Sequence, residues 1–184
     1  MLDDDARLML AFRDGDRRAF DALFARYTPR VLTFLTRLVR DRARAEELTQ
    51  DVFVRIYNAA DRYEPKARFS TWIFGIAHNL GLNELARAHR RYERGDTPLE
   101  ELGAADPEPG ADEKVEAAEL RVRLERALGK LPDRQRAALL LRSEQGLAYE
   151  EIAVALDASV SSVKSLIHRA RETLIAELGE EGAK

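Results

Sequence analysis

Seven polar side chains near the C-terminus have types and spacing suited to nucleic acid: Ser161, Ser162, Lys164, Ser165, His168, Arg169 and Arg171. At ~100° per residue, Ile167, Ala170, Leu174 and Leu178 fall within about 60° of Val163 and form one apolar stripe. Ser161, Ser165, His168, Arg169 and Glu172 lie opposite it, with Lys164 and Arg171 on the flanks. Small hydroxyls therefore open the helix and bases follow. Such a helix can place its first turns in a major groove, where side chains reach base edges and phosphates. An ordinary amphipathic helix with a solvated face has the same pattern, so the preceding residues decide. A short helix over Tyr149–Leu156, a tight turn at Asp157-Ala158-Ser159 and a longer helix from Val160 to about Leu178 make a helix-turn-helix. Ser159 is placed to cap the longer helix. Spacing alone assigns no single base contact.

Other chemistries find little support. The three histidines, His78, His89 and His168, lack metal-ligand spacing relative to one another. No Gly-rich phosphate loop occurs, and the carboxylates sit on helix faces or in an acidic stretch. The expectation is a protein that is not an enzyme and needs neither metal nor cofactor. With no cysteine there are no disulfides or thiolate sites, which fits a reducing compartment. The acidic start MLDDDARLML does not read as a signal peptide, and no run approaches the ~20 apolar residues of a membrane span. A cytoplasmic location is expected, with no membrane contact of its own.

The elements that must position these residues are helices. Ala, Leu, Arg and Glu dominate the long segments, against only 10 Gly and 6 Pro in 184 residues. Gly95 to Asp112 (GDTPLEELGAADPEPGAD) breaks the pattern with three prolines and three glycines, and reads as a flexible acidic linker. Gly95 to Glu119 holds nine acids and one lysine, a net of −8 within a chain of −3, so the rest carries +5. The overall charge hides a basic body. Before the linker, Asp16 can cap a helix to about Arg26, and Thr28-Pro29 can start another through Leu32, Leu35 and Leu38. Asp41 can cap a helix with a Leu48/Val52/Ile56 stripe. Tyr63-Glu64-Pro65-Lys66 breaks the chain, and Ser70 or Thr71 can cap a long helix to about Arg91. Beyond the linker, Leu120, Leu124, Leu128 and Leu131 share a face. Leu131-Pro132-Asp133 then turns into a helix that Gly146 ends.

The segment GLAYEEIAVALDASVSSVKSLIHRARETL resembles the C-terminal promoter-reading domain of extracytoplasmic-function (ECF) sigma factors of bacterial RNA polymerase. The likeness rests on Tyr149, Glu150, Glu151, Ile152, Ala153, Val163, Lys164, Ser165, Arg169, Ala170 and Arg171. LPDRQRAALLLR (Leu131 to Arg142) resembles the helix before it. Three departures matter. Ala148 replaces a usual Ser, which removes a capping box with Glu151. Asp157 stands where Gly is common, and Leu166 where Arg is frequent.

The N-terminal half is a separate test of this resemblance. AEELTQDVFVRIYNAADRYEP (Ala45 to Pro65) is similar to the helix that docks on the clamp helices of the polymerase largest subunit. ARFSTWIFGIAHNLGLNELARAHRR (Ala67 to Arg91) is similar to the helix that opens and reads the −10 element. The resemblance implies docking through Glu47, Gln50, Asp51, Phe53 and Tyr57. Phe53 is equally a core candidate, since aromatics at helical spacing usually pack. Lys66, Arg68, Phe69, Trp72, Asn79, Asn83, Arg87 and Arg90 are implied at the −10 element: rings stack on unpaired bases while cations hold the backbone. At least one of Trp72 and Phe74 is expected to pack in the core.

The resulting expectation is an all-α chain of two small helical domains joined by a flexible acidic linker: 1–94, 95–112 and 113–184. The resemblance implies a sigma factor that binds core RNA polymerase through the clamp helices and the flap, reads −35 promoter DNA with its last helix, and melts the −10 element with its first domain. An anti-sigma factor is an implied partner. The rival is a conventional helix-turn-helix regulator with no polymerase docking.

Overall fold

The computed structural model describes residues 2–94 and 115–181. The acidic stretch read as a linker lies outside the described residues. Two helical groups flank it. The first holds α1 (Asp4–Arg13), α2 (Arg17–Val39), α3 (Arg42–Ala59), a 3-10 turn (Ala60–Arg62) and α4 (Phe69–Glu93). The second holds α5 (Val115–Lys130), α6 (Asp133–Ser143), α7 (Tyr149–Ala155) and α8 (Val160–Glu181). No strand occurs among the described residues.

Local chemistry starts most of these helices. Asp16 caps α2 by accepting from Arg18 N, and Asp41 caps α3 by accepting from Arg44 N. Helix α4 is capped differently from the sequence-based expectation. Neither Ser70 nor Thr71 caps it; both lie in its first turn. The acceptor is Asp3, 66 residues away. Its Oδ2 takes Phe69 N at 3.1 Å, while its Oδ1 takes Ala6 N at 2.7 Å to start α1. One carboxylate thus starts two helices and ties their ends together.

The Thr28-Pro29 break does not occur, because α2 runs straight through it with Pro29 inside. An internal proline costs ~3 kcal/mol. Leu23, Tyr27, Val31, Phe34, Leu35 and Leu38, each at most 1% exposed, form one continuous buried stripe across the site. At ~1.5 to 3 kcal/mol for each large side chain, that burial outweighs the proline. Thr28 Oγ1 also donates to Phe24 O at 2.6 Å, one residue before the Ala25 carbonyl that Pro29 cannot serve.

Helix α4 crosses α2 closely. A Cβ on Gly81 would lie 2.6 Å from Leu38 Cδ2, so a hydrogen there lets the two helices approach. Phe69, Ile73, Phe74 and Ala77 fill the core beneath, and Phe74 meets Phe34 edge-on at 5.6 Å between ring centres. In the second group Leu128 and Leu131 are buried, but Leu120 is 57% exposed and does not join the expected stripe. Arg136, 3% exposed, pairs with Asp133 at 2.6 Å and donates to Gly129 O at 3.4 Å, clamping the α5–α6 corner.

His78 on α4 is 3% exposed, and neither ring nitrogen has a hydrogen-bond partner. Burial pushes its pKa from 6.5 down to about 4, against an opposing contact with Asn79 and with a smaller push from the charge of Arg134. The folded state therefore resists protonation that the unfolded chain accepts. Stability is fully present above pH 6.5 and is lost as pH falls towards 4, by about 2 kcal/mol at pH 5. Urea unfolding at pH 7.5 and 5 should show this loss, and the His78→Leu variant should lose about 2 kcal/mol less than the parent over the same interval.

Candidate nucleic-acid interface

Helix α8 is built as its periodicity requires. Val163, Ile167 and Ala170 are at most 1% exposed, and Leu174 and Leu178 are half-buried. Ser161, Ser162, Lys164, Ser165, His168, Arg169 and Arg171 are all exposed. Ser159 Oγ accepts from Ser162 N at 3.1 Å, so the cap forms where expected. Ser161, Ser162, Ser165, Leu166 and Arg169 line a shallow concavity at the start of the helix. The Ser165 hydroxyl donates to Ser161 O at 3.0 Å, and His168 Nε2 lies 3.4 Å from Glu172. Leu166 packs against the core.

The turn before α8 carries its own strain. Asp157 has φ +46°, a left-handed conformation that an Asp tolerates better than most residues. At α7, Ala148 offers no side-chain acceptor, but Glu151 Oε2 still accepts Ala148 N at 2.7 Å. Half of the capping box expected to be absent is therefore made. Tyr149 has two cations near its ring, Arg142 at 5.0 Å and Lys164 at 5.8 Å, which favours the lysine lying beside the exposed face of α8.

On α4, Asn79, Asn83, Arg87 and Arg90 are exposed along one line of the helix, and Lys66 and Arg68 are exposed just before it. Phe69 is a correction: at 0% exposure it packs between Tyr27, Tyr63 and Trp72 and has no face to offer a base. Its position opens the helix, so its ring falls into the core with Ile73. Trp72 is half-buried, its ring centre 4.8 Å from Tyr63, and keeps part of its surface outward. Of Trp72 and Phe74, Phe74 is the core residue.

Helix α3 turns Glu47, Gln50, Asp51 and Tyr57 outward, while Phe53 is 4% exposed. Phe53 is the floor of an aromatic cluster that sequence reasoning missed. Phe24 lies 4.6 Å from it, Phe20 bridges Phe24 and Phe12, and Tyr57 meets Phe12 at 5.3 Å and Phe20 at 5.5 Å. Phe24 is 45% exposed, Tyr57 52% and Val54 56%, so the cluster ends in an apolar surface beside the acids of α3. The spacing Phe20/Phe24 and Phe53/Tyr57 is visible in the sequence, but nothing local says that the two pairs meet.

The two groups of helices are not separate. Arg30 lies over the Tyr27 and Phe74 rings and donates to Gln145 Oε1 at 3.1 Å. Arg37 reaches Glu125 Oε1 at 2.9 Å and also pairs with Glu144. Arg68 lies 3.5 Å from Glu151, and His89 lies 3.5 Å from Asp133. A Cβ on Gly75 would sit 3.5 Å from Ala155 O, so α4 and α7 run close together. Burial raises the Glu144 carboxyl above the usual range, against the opposing charge of Arg37. One core runs through both groups.

Residues 23–91 match the family description Sigma-70 region 2, and residues 121–174 match Sigma-70, region 4. The chain is 34% identical to the RNA polymerase sigma-H factor of Pseudomonas aeruginosa, across 92% of this chain and 91% of that protein. It is 37% identical to the sigma factor CarQ of Myxococcus xanthus, across 94% and 96%. It is 32% identical to the ECF sigma-E factor of Escherichia coli, across 92% of each. Among solved structures, CnrH in complex with the cytosolic domain of CnrY is similar at a TM-score of 0.74, with 26% identity over 97% of this chain and 99% of that one. The fold is also that of the sigma factor RpoE of Bartonella quintana in complex with the anti-sigma factor NepR, at a TM-score of 0.75 and 22% identity over 87% and 96%.

Arg37 joins the two groups most directly, with its side chain 28% exposed and its partners 21% and 17%. Removing it leaves two half-buried carboxylates unpaired. The Arg37→Ala variant should lose about 1 to 2 kcal/mol in urea unfolding, less than a fully buried pair because water reaches this one. Amide exchange should rise in α5 and α6 and stay unchanged in α3.

Proposed function

The chain belongs to the sigma-70 family of RNA polymerase sigma factors, in its ECF branch, and from that premise we propose how its surfaces divide the work. It binds core RNA polymerase and directs promoter recognition; the conventional regulator is not favoured. Sigma factors are initiation factors, not enzymes, and the polymerase supplies the chemistry. No described helix is long and apolar enough to cross a membrane.

Residues 1–94 form the polymerase-docking and −10 domain, residues 113–184 the −35 domain, and residues 95–112 the linker between them. In the first domain, Glu47, Gln50 and Asp51 dock on the clamp helices of the largest subunit. Tyr57 docks beside them, with Phe53 as the support beneath. Phe24 and Val54 extend this surface. Acids around an apolar centre suit a basic, partly apolar helical partner: charge steers the encounter and aromatic burial retains it.

Asn79 and Asn83 read base edges at the −10 element. Trp72 stacks on an unpaired base, and Lys66, Arg68, Arg87 and Arg90 hold the backbone. In the second domain, which also meets the flap, α8 enters the major groove of the −35 element. Lys164, Arg169 and Arg171 contribute the long side chains, His168 lies beside them, and Ser161, Ser162 and Ser165 allow close approach. The observation that carries this reading is that one chain exposes a helix-turn-helix face on α8 and a solvent-facing surface of acids beside aromatics on α3.

The packed arrangement cannot serve promoter binding. Elements named −35 and −10 lie about 25 base pairs apart, or ~85 Å at ~3.4 Å per step. Here α4 and α7 touch, and α8 is only ~33 Å long. The two domains part when the chain engages polymerase and promoter, which frees Arg68 from Glu151. An anti-sigma factor holds them together, a reading supported by the likeness in fold to a sigma factor solved with the anti-sigma factor NepR.

Two substitutions separate the two surfaces. In core-binding and run-off transcription assays, Asp51→Arg should weaken core binding by about tenfold or more and abolish transcripts. Arg169→Ala should leave core binding intact and weaken promoter selection by about tenfold, ~1 to 3 kcal/mol for a base contact. Unchanged core binding in Asp51→Arg, with tight specific duplex binding by the protein alone, would favour the conventional regulator.

A further inference from the structure

Glu84 is the one carboxylate buried in α4, with a side chain 5% exposed, and three arginines converge on it. Arg44 Nη2, from α3, donates to its Oε2 at 2.7 Å. Arg91 Nη2 donates to its Oε1 at 3.3 Å, and Arg87 Nη1 lies 3.9 Å from Oε2. Burial works to raise this carboxyl, and the charges of Arg44, Arg91 and Arg87 outweigh it, so Glu84 stays below the usual carboxylate range. Arg44 also pairs with Glu47 on the exposed face of α3.

Packing alone does not require a charge here. A buried carboxylate is costly unless cations offset it, and an apolar or amide side chain of similar volume would fill the same space. What the charge adds is order among cations that would otherwise repel one another. Two of the three guanidiniums reach solvent: Arg87 is 65% exposed and Arg91 49%. Arg91 gives one N–H to Glu84 and Arg87 ion-pairs with it at longer range, so most donors of both are not committed to Glu84. Arg87 lies on the same exposed line of α4 as Asn79 and Asn83.

We infer that Glu84 is a positioning residue for the melted strand: it sets Arg87 and Arg91 at the rim of α4 to hold phosphates beside Asn83, and ties them through Arg44 to the polymerase-facing helix. This rests on α4 being the −10 helix. A guanidinium held by one edge presents its remaining donors to a phosphate in a fixed direction, while a free one must first be ordered.

The test uses the full chain with core polymerase, comparing Glu84→Gln and Glu84→Asp with the parent. The readout is open-complex formation on one promoter as a function of salt. Glu84→Gln should cut open-complex formation about tenfold and lower the salt slope by ~0.7 for each single-strand phosphate that is no longer neutralised. Glu84→Asp, which keeps the charge, should recover most of both. Core binding should be equal in all three. In an Arg87→Ala/Arg91→Ala background, Glu84→Gln should add little, because it acts through those residues. An unchanged slope in Glu84→Gln, or an undiminished effect in that background, overturns the inference. So does an Asp variant as impaired as the Gln variant. If the parent itself gives no transcript with core polymerase, the sigma reading fails, not the role of Glu84.

Discussion

The structure depends on helix α4 making close contact on two sides at once. On one side Gly81 lets it settle against Leu38 of α2; on the other Gly75 lies against the backbone of Ala155 in α7. Phe74 and Ile73 fill the space beneath, and Arg30 reaches over the Phe74 ring to Gln145. With those faces occupied, the line Asn79–Asn83–Arg87–Arg90 is left to solvent. The face that can meet DNA is what remains after packing has taken the rest.

The energetics of the contact between the two helical groups suit a reversible closure. Apolar burial continues from one group to the other, but the named polar links are half-exposed ion pairs and single hydrogen bonds. Such links are worth a few tenths to ~1 kcal/mol each in water and fall with salt. A partner that takes Arg68 competes with them directly. The same chain can therefore be compact alone and extended on a promoter without either domain refolding.

Much of this is legible in the sequence where the signal is local. The Val163/Ile167/Ala170 stripe, the Ser159 and Asp41 caps and the Asp157 turn each depend on residues within a few positions of one another. What cannot be read depends on distant partners. The cap of α4 comes from Asp3, which has no sequence relation to Phe69. Pro29 reads as a helix start because its local preference is real, and only the continuous buried stripe on both sides overrides it. Phe69 is placed at the DNA by the resemblance, and only the packing shows that its ring turns inward. The Phe12/Phe20/Phe24 surface and the Glu84 cluster are invisible for the same reason: each is assembled from two or three helices.

The central claim is a sigma factor whose reading surfaces are held together in the free chain and separate to work. The most direct test is the distance between labels on Ala86 of α4 and Val154 of α7, exposed positions outside the proposed reading surfaces, measured in the free protein, with core polymerase, and with core and promoter. The account predicts one short distance in the free chain and a distance longer by tens of ångströms on the promoter, ~85 Å being the separation of the two elements. An unchanged short distance in a transcribing complex would contradict it.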